Sequence, residues 1–313
     1  MARRLLTFLF LAGSTISLLF LSPSFLILHE DFTERIMRAR FMFLSVFAVM
    51  SCIFLSTQLS TQSKGNGDCS SFVICPDEEL VYEVSWMKIP LGQIRLKANA
   101  SVMVEGKLRH NASAVIDSYD GLPFVDLHVI DHTEMDESLY SKGFDALEKK
   151  GDRWESQKSH YDFSKKLLVT EKALHADKHS QAIASPSFDT LHLSSTSIQD
   201  GLSILYFARA STRNPRQVRV PTVVYEKEGA TLFQVQNKTE YEEIDAWKDK
   251  KIRVVPVEGK AEFEGLFGFT GDFKGWFSDD VAAIPIKAEL KVTIGSVKLE
   301  LIKWKRNGWT PPG

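Results

Sequence analysis

A strict alternation of apolar and polar residues is the feature of this chain that most constrains its fold. In residues 93–105 every even-numbered position from 94 to 104 is apolar, and the positions between them are mostly polar or charged. A period of two over such a length is typical of a β-strand with one buried face and one face in water. Residues 80–86 alternate in the same way, so the Pro-Leu-Gly segment 90–92 is predicted to be the turn of a β-hairpin.

The C-terminal region repeats the alternation. Residues 284–294 follow it, and the phase then shifts at Gly295 and Ser296. A glycine at a phase shift predicts a bulge or bend that keeps the apolar side chains on the core. Shorter strands are predicted between the two ends, at residues 112–118, 125–134, 138–147, 153–161, 167–171, 218–226, 231–236 and 251–257.

One helix is predicted after residues 196–200, because capping residues precede apolar positions at helical spacing and Asn214-Pro215 ends the pattern. Asp200 and Arg209 lie near its two ends, where their charges are expected to complement the helix dipole. The polar, Ser- and His-rich residues 175–195 are predicted to be a loop.

Size and charge limit the class of protein. Without its N-terminal segment the chain keeps roughly 240 to 250 of its 313 residues, which suffices for one large β-domain or two small ones. The formal net charge of -2 provides no basic field, so a nucleic-acid partner is not expected.

Two apolar runs mark the N-terminus, at residues 5–28 and 41–55. The first is long enough to cross a bilayer, and the second resembles the hydrophobic region of a signal peptide behind basic residues. A two-span hairpin would place Arg35, Arg38 and Arg40 outside, against the positive-inside rule. We therefore expect translation to start at Met37, or alternatively at Met42.

Processing of this segment has three alternatives. Residues 49–52, Val-Met-Ser-Cys, resemble a lipobox, which would lead to lipidation of Cys52. Plain cleavage between residues 56 and 63 and an uncleaved membrane anchor are the others. Each predicts an exported, periplasmic, membrane-associated protein with an anchor or signal region at 1–56, a flexible tether at 57–77, an antiparallel β-domain at 78–306 and a tail at 307–313.

The three cysteines of the chain are Cys52, Cys69 and Cys75. The last two are close in sequence, and in an oxidising compartment they are predicted to form a disulfide. Two free thiols at a domain edge are the alternative. A zinc knuckle is not expected, because no His or further Cys lies nearby in sequence.

Candidate metal ligands occur at His128 and His132, which would share one face of a strand with neighbouring carboxylates. Imidazole and carboxylate groups are good zinc ligands, so a metal-dependent hydrolase is one alternative function. The interpretation that we favour is a solvated polar face, because Ile130 lies between the two histidines on that face.

An aromatic, glycine-rich stretch at residues 263–277 is the candidate binding element. It is expected either to fill the core or to form the apolar lip of a ligand cavity or partner surface. The residues of this predicted lip are Phe267, Phe269, Phe273, Trp276 and Phe277.

The sequence contains no Gly-x-Ser-x-Gly, His-Glu-x-x-His, P-loop or Rossmann glycine pattern. No catalytic residues and no cofactor are therefore predicted.

Three segments together resemble the bacterial domain of unknown function 3108. They are Glu-Leu-Val-Tyr-Glu-Val-Ser-Trp at 79–86 with Gly92, Asp-Gly-Leu-Ser-Ile-Leu-Tyr-Phe-Ala-Arg at 200–209, and Trp-Phe-Ser-Asp-Asp at 276–280 followed by Ile-Pro-Ile-Lys at 284–287. The resemblance covers residues 78–305 and implies an exported, often lipoprotein-type antiparallel β protein, without an established activity. By analogy, the resemblance also suggests a fold similar to that of the half-open β-barrels that hold lipids in the periplasm.

The expected fold is mainly β, a large curved antiparallel sheet or half-open barrel with one short helix. The expected function is that of a non-enzymatic envelope protein whose concave face binds a hydrophobic ligand, such as a lipid, or an envelope partner, with the N-terminal segment at the membrane. An assembly scaffold with a filled core is the other alternative to this function.

Overall fold

The computed structural model describes residues 69, 72–122, 125–224, 226–262, 271–292 and 294–313. In these ranges the chain forms sixteen β-strands and the α-helix α1, Ser203–Ser211. The strands are β1 Glu78–Trp86, β2 Ile89–Ala98, β3 Val102–Val104, β4 Lys107–Ser118, β5 His128–Met135, β6 Ser141–Lys150, β7 Arg153–Asp162, β8 Leu167–His175, β9 Ser187–His192, β10 Gln217–Val224, β11 Lys227–Val235, β12 Glu240–Glu242, β13 Ile252–Ala261, β14 Asp272–Ser278, β15 Pro285–Lys291 and β16 Ser296–Lys305.

One antiparallel sheet contains nearly all of these strands, in the order β10-β11-β13-β14-β15-β16-β1-β2-β4-β5-β6-β7-β8-β9. The short strands β12 and β3 add to β13 and β4. Because β16 pairs with β1, the last strand of the domain lies against the first. The expected fold class, a large antiparallel sheet with one short helix, is confirmed.

The sheet stays open between β9 and β10, which do not pair within the described ranges. A parallel bridge joins the segment before α1 to the edge strand β10: the Gln199 N–H donates to the Pro221 carbonyl at 2.9 Å, and the Val223 N–H donates to the Gln199 carbonyl at 2.8 Å. The sheet is therefore a half-open barrel.

Helix α1 lies against the concave face at one end. Tyr206 of the helix and Leu202, which directly precedes it, belong to the largest core cluster, together with Leu80, Tyr82 and Leu96 from β1 and β2. Fully burying each such side chain contributes about 1.5–3 kcal/mol, which holds the helix on the sheet. No helix in the described part of the chain combines the length and apolar character needed to span a membrane.

The turn between β1 and β2 differs from the prediction at 90–92. It is formed by Met87 and Lys88, whose φ angles are 49° and 70°. Two positive φ angles give the two-residue turn whose twist matches that of paired strands. Pro90 lies in β2, next to a register shift in β1, where a proline is tolerated because the hydrogen-bond ladder is already interrupted.

The predicted continuous strand at 93–105 is also wrong, because β2 ends at Ala98 and β3 starts at Val102. All three residues of β3 are exposed, including the two valines predicted to face the core. Ala98 pairs with Glu78, the first residue of β1, so β1 does not flank the chain beyond Ala98, where β3 pairs with β4 alone. The β3–β4 hairpin therefore extends past the main sheet, and the β3 side chains are exposed.

Gly295 marks a hairpin turn rather than a bulge. Strand β15 ends at Lys291, which pairs with Ser296 of β16, and Gly295 has a φ of 78° in the turn. Ile294, predicted to continue the buried face, is 68% exposed at this turn. A reversal of the chain produces the same change of apolar phase as a bulge.

The predicted loop at 175–195 contains the edge strand β9, which pairs with β8. Five of its six residues are exposed, so neither face imposes an apolar period that sequence inspection could detect.

Candidate ligand-binding cavity

A cavity of about 430 Å³ lies inside the half-open barrel. This volume falls within the range of about 300–1,000 Å³ typical of small-molecule sites. Helix α1 contributes Ile204 and Leu205 to the wall, and Leu202, just before the helix, also lines it. The other apolar lining side chains include Ile94, Leu96, Ile116, Val129, Phe144, Phe233, Phe273, Phe277, Leu290 and Leu299.

The wall changes from apolar to polar across the sheet. One cross-strand row on the inner face runs Leu96, Ala114, Asp131, Ala146 and Gln157, from β2 to β7.

The adjacent row, farther from α1, runs Ile94, Ile116, Val129, Glu148 and Glu155. The cavity therefore has an apolar side, built by β2 and β4, and an acidic side on β5, β6 and β7.

Asp131 is the most unusual group in this wall. No described hydrogen-bond donor or cation contacts its carboxylate, and it lies between the small side chains of Ala114 and Ala146. Burial, reinforced by the charges of Asp200 and Glu148, raises the pKa of Asp131 to about 7. Near neutral pH this group therefore exists as both carboxylic acid and carboxylate.

Asp200, in contrast, is fully engaged at the start of α1. Its carboxylate accepts the N–H groups of Leu202 and Ser203 at 2.8 and 2.7 Å and the Thr133 hydroxyl at 2.5 Å. Burial raises the pKa of Asp200, although these hydrogen bonds oppose the shift. Asp200 therefore satisfies the first backbone donors of the helix, as its position in the sequence suggested.

The lysines of the cavity wall direct their charges elsewhere. Lys287 Nζ lies 3.2 Å from Glu242, and Lys274 Nζ lies 3.6 Å from Glu240. Lys172, which does not itself line the cavity, has its Nζ 2.7 Å from the lining residue Glu226. Each of these ammonium groups already has a carboxylate partner, so none of them is left to neutralise Asp131.

The predicted aromatic lip is divided by the structure. Phe273 and Phe277 line the cavity, and Phe273 packs over Gly259, where a Cβ would lie 2.2 Å from its ring. Trp276 instead belongs to the core cluster, and its indole N–H donates to Glu240 Oε2 at 2.9 Å. Phe267 and Phe269 lie outside the described residues.

The two histidines proposed as metal ligands lie on the outer face of β5. His128 Nδ1 is 2.9 Å from Asp117 Oδ1 and its Nε2 is 3.2 Å from Asp126 Oδ1, while His132 is exposed. The described ranges contain no group of three or more His, Cys, Asp or Glu residues arranged to hold a metal ion.

The structure joins Cys69 and Cys75 by a disulfide, the pairing that the sequence predicts, with their Cα atoms 5.5 Å apart. Both cysteines are buried. Cys52, the predicted lipidation site, lies outside the described residues.

Beneath the disulfide loop is a buried triad of charges formed by Arg209, Glu78 and Arg306. Arg209 donates from Nη1 to Glu78 Oε1 at 2.7 Å and from Nη2 to Oε2 at 3.0 Å, while Arg306 Nη1 donates to the same Oε2. The arginines also donate to the loop carbonyls of Cys69 and Val73.

The exposed fractions of the triad side chains are 1% for Glu78 and 0% for both arginines. Arg209 does lie in the last turn of α1, but its charge binds Glu78 and does not simply complement the helix dipole.

Sequence inspection missed the two most informative carboxylates. Asp131 shares its strand face with the buried Val129, Thr133 and Met135. A charged residue at one of the alternating positions that face the core was therefore the signal in the sequence. Glu78 precedes the first alternating segment, and no local pattern singles it out, because its partners Arg209 and Arg306 lie more than a hundred residues away in the sequence.

The comparison with protein families shows which family this chain belongs to. The family described as "Protein of unknown function (DUF3108)" matches residues 81–302. The chain belongs to this family.

The comparison with solved structures finds similar bacterial proteins. One is the beta-barrel-like protein of domain of unknown function DUF1849 from Brucella abortus, 13% identical, covering 76% of this chain and all of that one, with a TM-score of 0.48. Another, from Bacteroides fragilis NCTC 9343, has a YmcC-like fold, 7% identity, coverage of 75% of this chain and 98% of that one, and a TM-score of 0.32. No curated protein matches the DUF3108 chain.

Proposed function

We propose that this DUF3108 protein is an exported, non-enzymatic cell-envelope protein that binds a hydrophobic ligand such as a lipid in its half-open barrel. The observation that carries the proposal is the cavity of about 430 Å³ whose wall combines one apolar side with a few polar groups. Ligand sites of soluble proteins share this character, because apolar walls supply affinity and sparse polar groups supply orientation.

The cellular location rests on the N-terminus and the cysteines. An apolar segment behind basic residues is typical of an export signal or anchor, and the disulfide between Cys69 and Cys75 fits an oxidising compartment. A ligand-binding domain tethered there would act beside a membrane, which is the natural source of apolar ligands.

The test is native mass spectrometry of the full-length chain purified from the membrane fraction of a bacterial host. We expect a reproducible mass above that of the polypeptide, which organic solvent extracts as lipid. A bare polypeptide mass would contradict the proposal and would favour an assembly scaffold that recruits a protein partner.

Two variants on one strand provide the control. Ala146→Phe places a ring inside the cavity, whereas Leu147→Phe changes a residue that does not line it. Binding in the cavity requires that Ala146→Phe lose the extra mass and Leu147→Phe keep it. Equal loss or equal retention in both variants would place the bound lipid elsewhere.

A further inference from the structure

The acidic side of the cavity restricts what the ligand can be. Asp131 has no counter-charge among the described residues, and Glu148 and Glu155 lie directly opposite each other on β6 and β7. Like charges at paired positions destabilise a sheet. Lys150 reaches Glu148 at 2.5 Å, which leaves Asp131 and Glu155 without a cation in the described structure.

A charge buried without a partner is costly, and a partner of opposite sign offsets that cost. The wall lysines Lys274 and Lys287 cannot serve, because each binds a carboxylate of its own. Across the strands, Asp131 is flanked only by the small side chains of Ala114 and Ala146. The cavity therefore has room for a foreign cationic group at this carboxylate.

Building on the function proposed above, we propose that the ligand is an amphiphile with an amine cation as its head group, and that Asp131 is the counter-ion of that amine. The apolar chain lies against β2, β4 and the aromatic side chains of β14. An anionic head group would face Asp131, Glu148 and Glu155 and is rejected by charge repulsion.

The carboxylates that act on Asp131 are those of Asp200, before α1, and Glu148 on β6. The same wall also contains Glu155 and Tyr161 on β7 and Glu226 at the β10–β11 turn. Its two lysines, Lys274 and Lys287, lie beside Glu240 and Glu242. Burial raises the pKa of Tyr161, so its hydroxyl stays neutral. Since the pKa of Asp131 is about 7, acidification removes the charge that holds the amine, and binding weakens at low pH.

The experiment uses the full-length chain in amphipol and isothermal titration with dodecylamine, dodecanol and dodecanoate. The two charged probes are kept below their critical micelle concentrations and dodecanol below its solubility limit. At pH 8 we expect dodecylamine to bind at least about tenfold more tightly than dodecanol, as a charged hydrogen bond provides, and dodecanoate to bind most weakly. Between pH 8 and pH 6 the affinity for dodecylamine falls about tenfold, because the ionised fraction of a group with a pKa near 7 falls about tenfold.

Asp131→Asn should abolish both the preference for the amine over dodecanol and its pH dependence. Asp145→Asn, on the exposed face of the neighbouring strand, should behave as the wild type.

Equal binding of amine and alcohol, or tightest binding of dodecanoate, overturns the head-group assignment but leaves a hydrophobic site. No binding of any of the three probes would overturn the proposed function itself. The probe series on the wild-type chain decides this even where a variant is unstable.

Discussion

Replacing Glu78 by Gln should destabilise the domain far more than the same change at its neighbour Glu79. The Glu78 carboxylate is 1% exposed and accepts hydrogen bonds from both Arg209 and Arg306, so glutamine would leave two buried cations without their counter-ion. Removing one member of a buried ion network costs about 3–5 kcal/mol. That is a large share of the roughly 5–15 kcal/mol by which a domain is stable.

Glu79 provides the matched control, because it lies on the same strand in a salt bridge with Arg95 at 2.6 Å, whose two side chains are 24% and 47% exposed. Exposed pairs contribute less than about 1 kcal/mol.

Urea unfolding of the full-length chain, followed by tryptophan fluorescence, measures both variants. With a slope of roughly 3 kcal/mol per molar urea, Glu78→Gln should lower the midpoint by about 1 M or more, and Glu79→Gln by less than about 0.3 M. Similar midpoints for the two variants would refute the view that the triad joins the first strand, the helix and the residue that follows the last strand.

Three further predictions concern the disulfide, the inner carboxylate and the aromatic packing. Replacing Cys69 and Cys75 together by Ser should lower the free energy of unfolding by about 2 kcal/mol, since the disulfide closes a short loop. As the control, a reducing agent should destabilise the wild type but not the double variant. The pKa of Asp131 is raised to about 7 from an ordinary value of 3.8, so its contribution to stability is fully present below pH 3.8 and is lost as the pH rises through 7. The stability of the wild type relative to Asp131→Asn should thus fall by about 1.4 kcal/mol between pH 6 and pH 8. Denaturant curves of the two proteins that shift in parallel over that interval would contradict the raised pKa. Gly259→Ala would place a Cβ 2.3 Å from the Leu232 carbonyl oxygen and 2.2 Å from the Phe273 ring. We therefore expect the free energy of unfolding to fall by about 1–3 kcal/mol and Phe273 to be displaced, which thermal melting and ligand affinity would measure. A variant with wild-type stability and affinity would show that the strand adjusts freely.

Alternation in the sequence predicted the strands that have one buried face, and it failed where the physical cause of alternation is missing. Strand β9 is exposed on nearly every residue, and β3 extends beyond the sheet, so neither carries a useful pattern. The turn at Met87 and Lys88 has none of the usual Gly, Asn or Asp signals and is held by the pairing on both sides.

The candidate site was predictable in part. Phe273 and Phe277 were identified from the aromatic, glycine-rich stretch, and both line the cavity. The acidic side of the wall was not identified, because it depends on three strands whose register brings Asp131, Glu148 and Glu155 together. Register is a property of the whole sheet, and no local pattern specifies it.

The pairing of β1 with β16 also determines when the domain can fold. Glu79 pairs with Lys305, so nearly the entire chain must be available before the middle of the sheet is complete. Closing contacts between such distant residues is slow, and until then β1 and β15 each present an unpaired edge. A ribosome or an export channel that releases the chain from its N-terminus therefore delivers a sheet in two unfinished parts, and the final ten-residue strand is the piece that joins them.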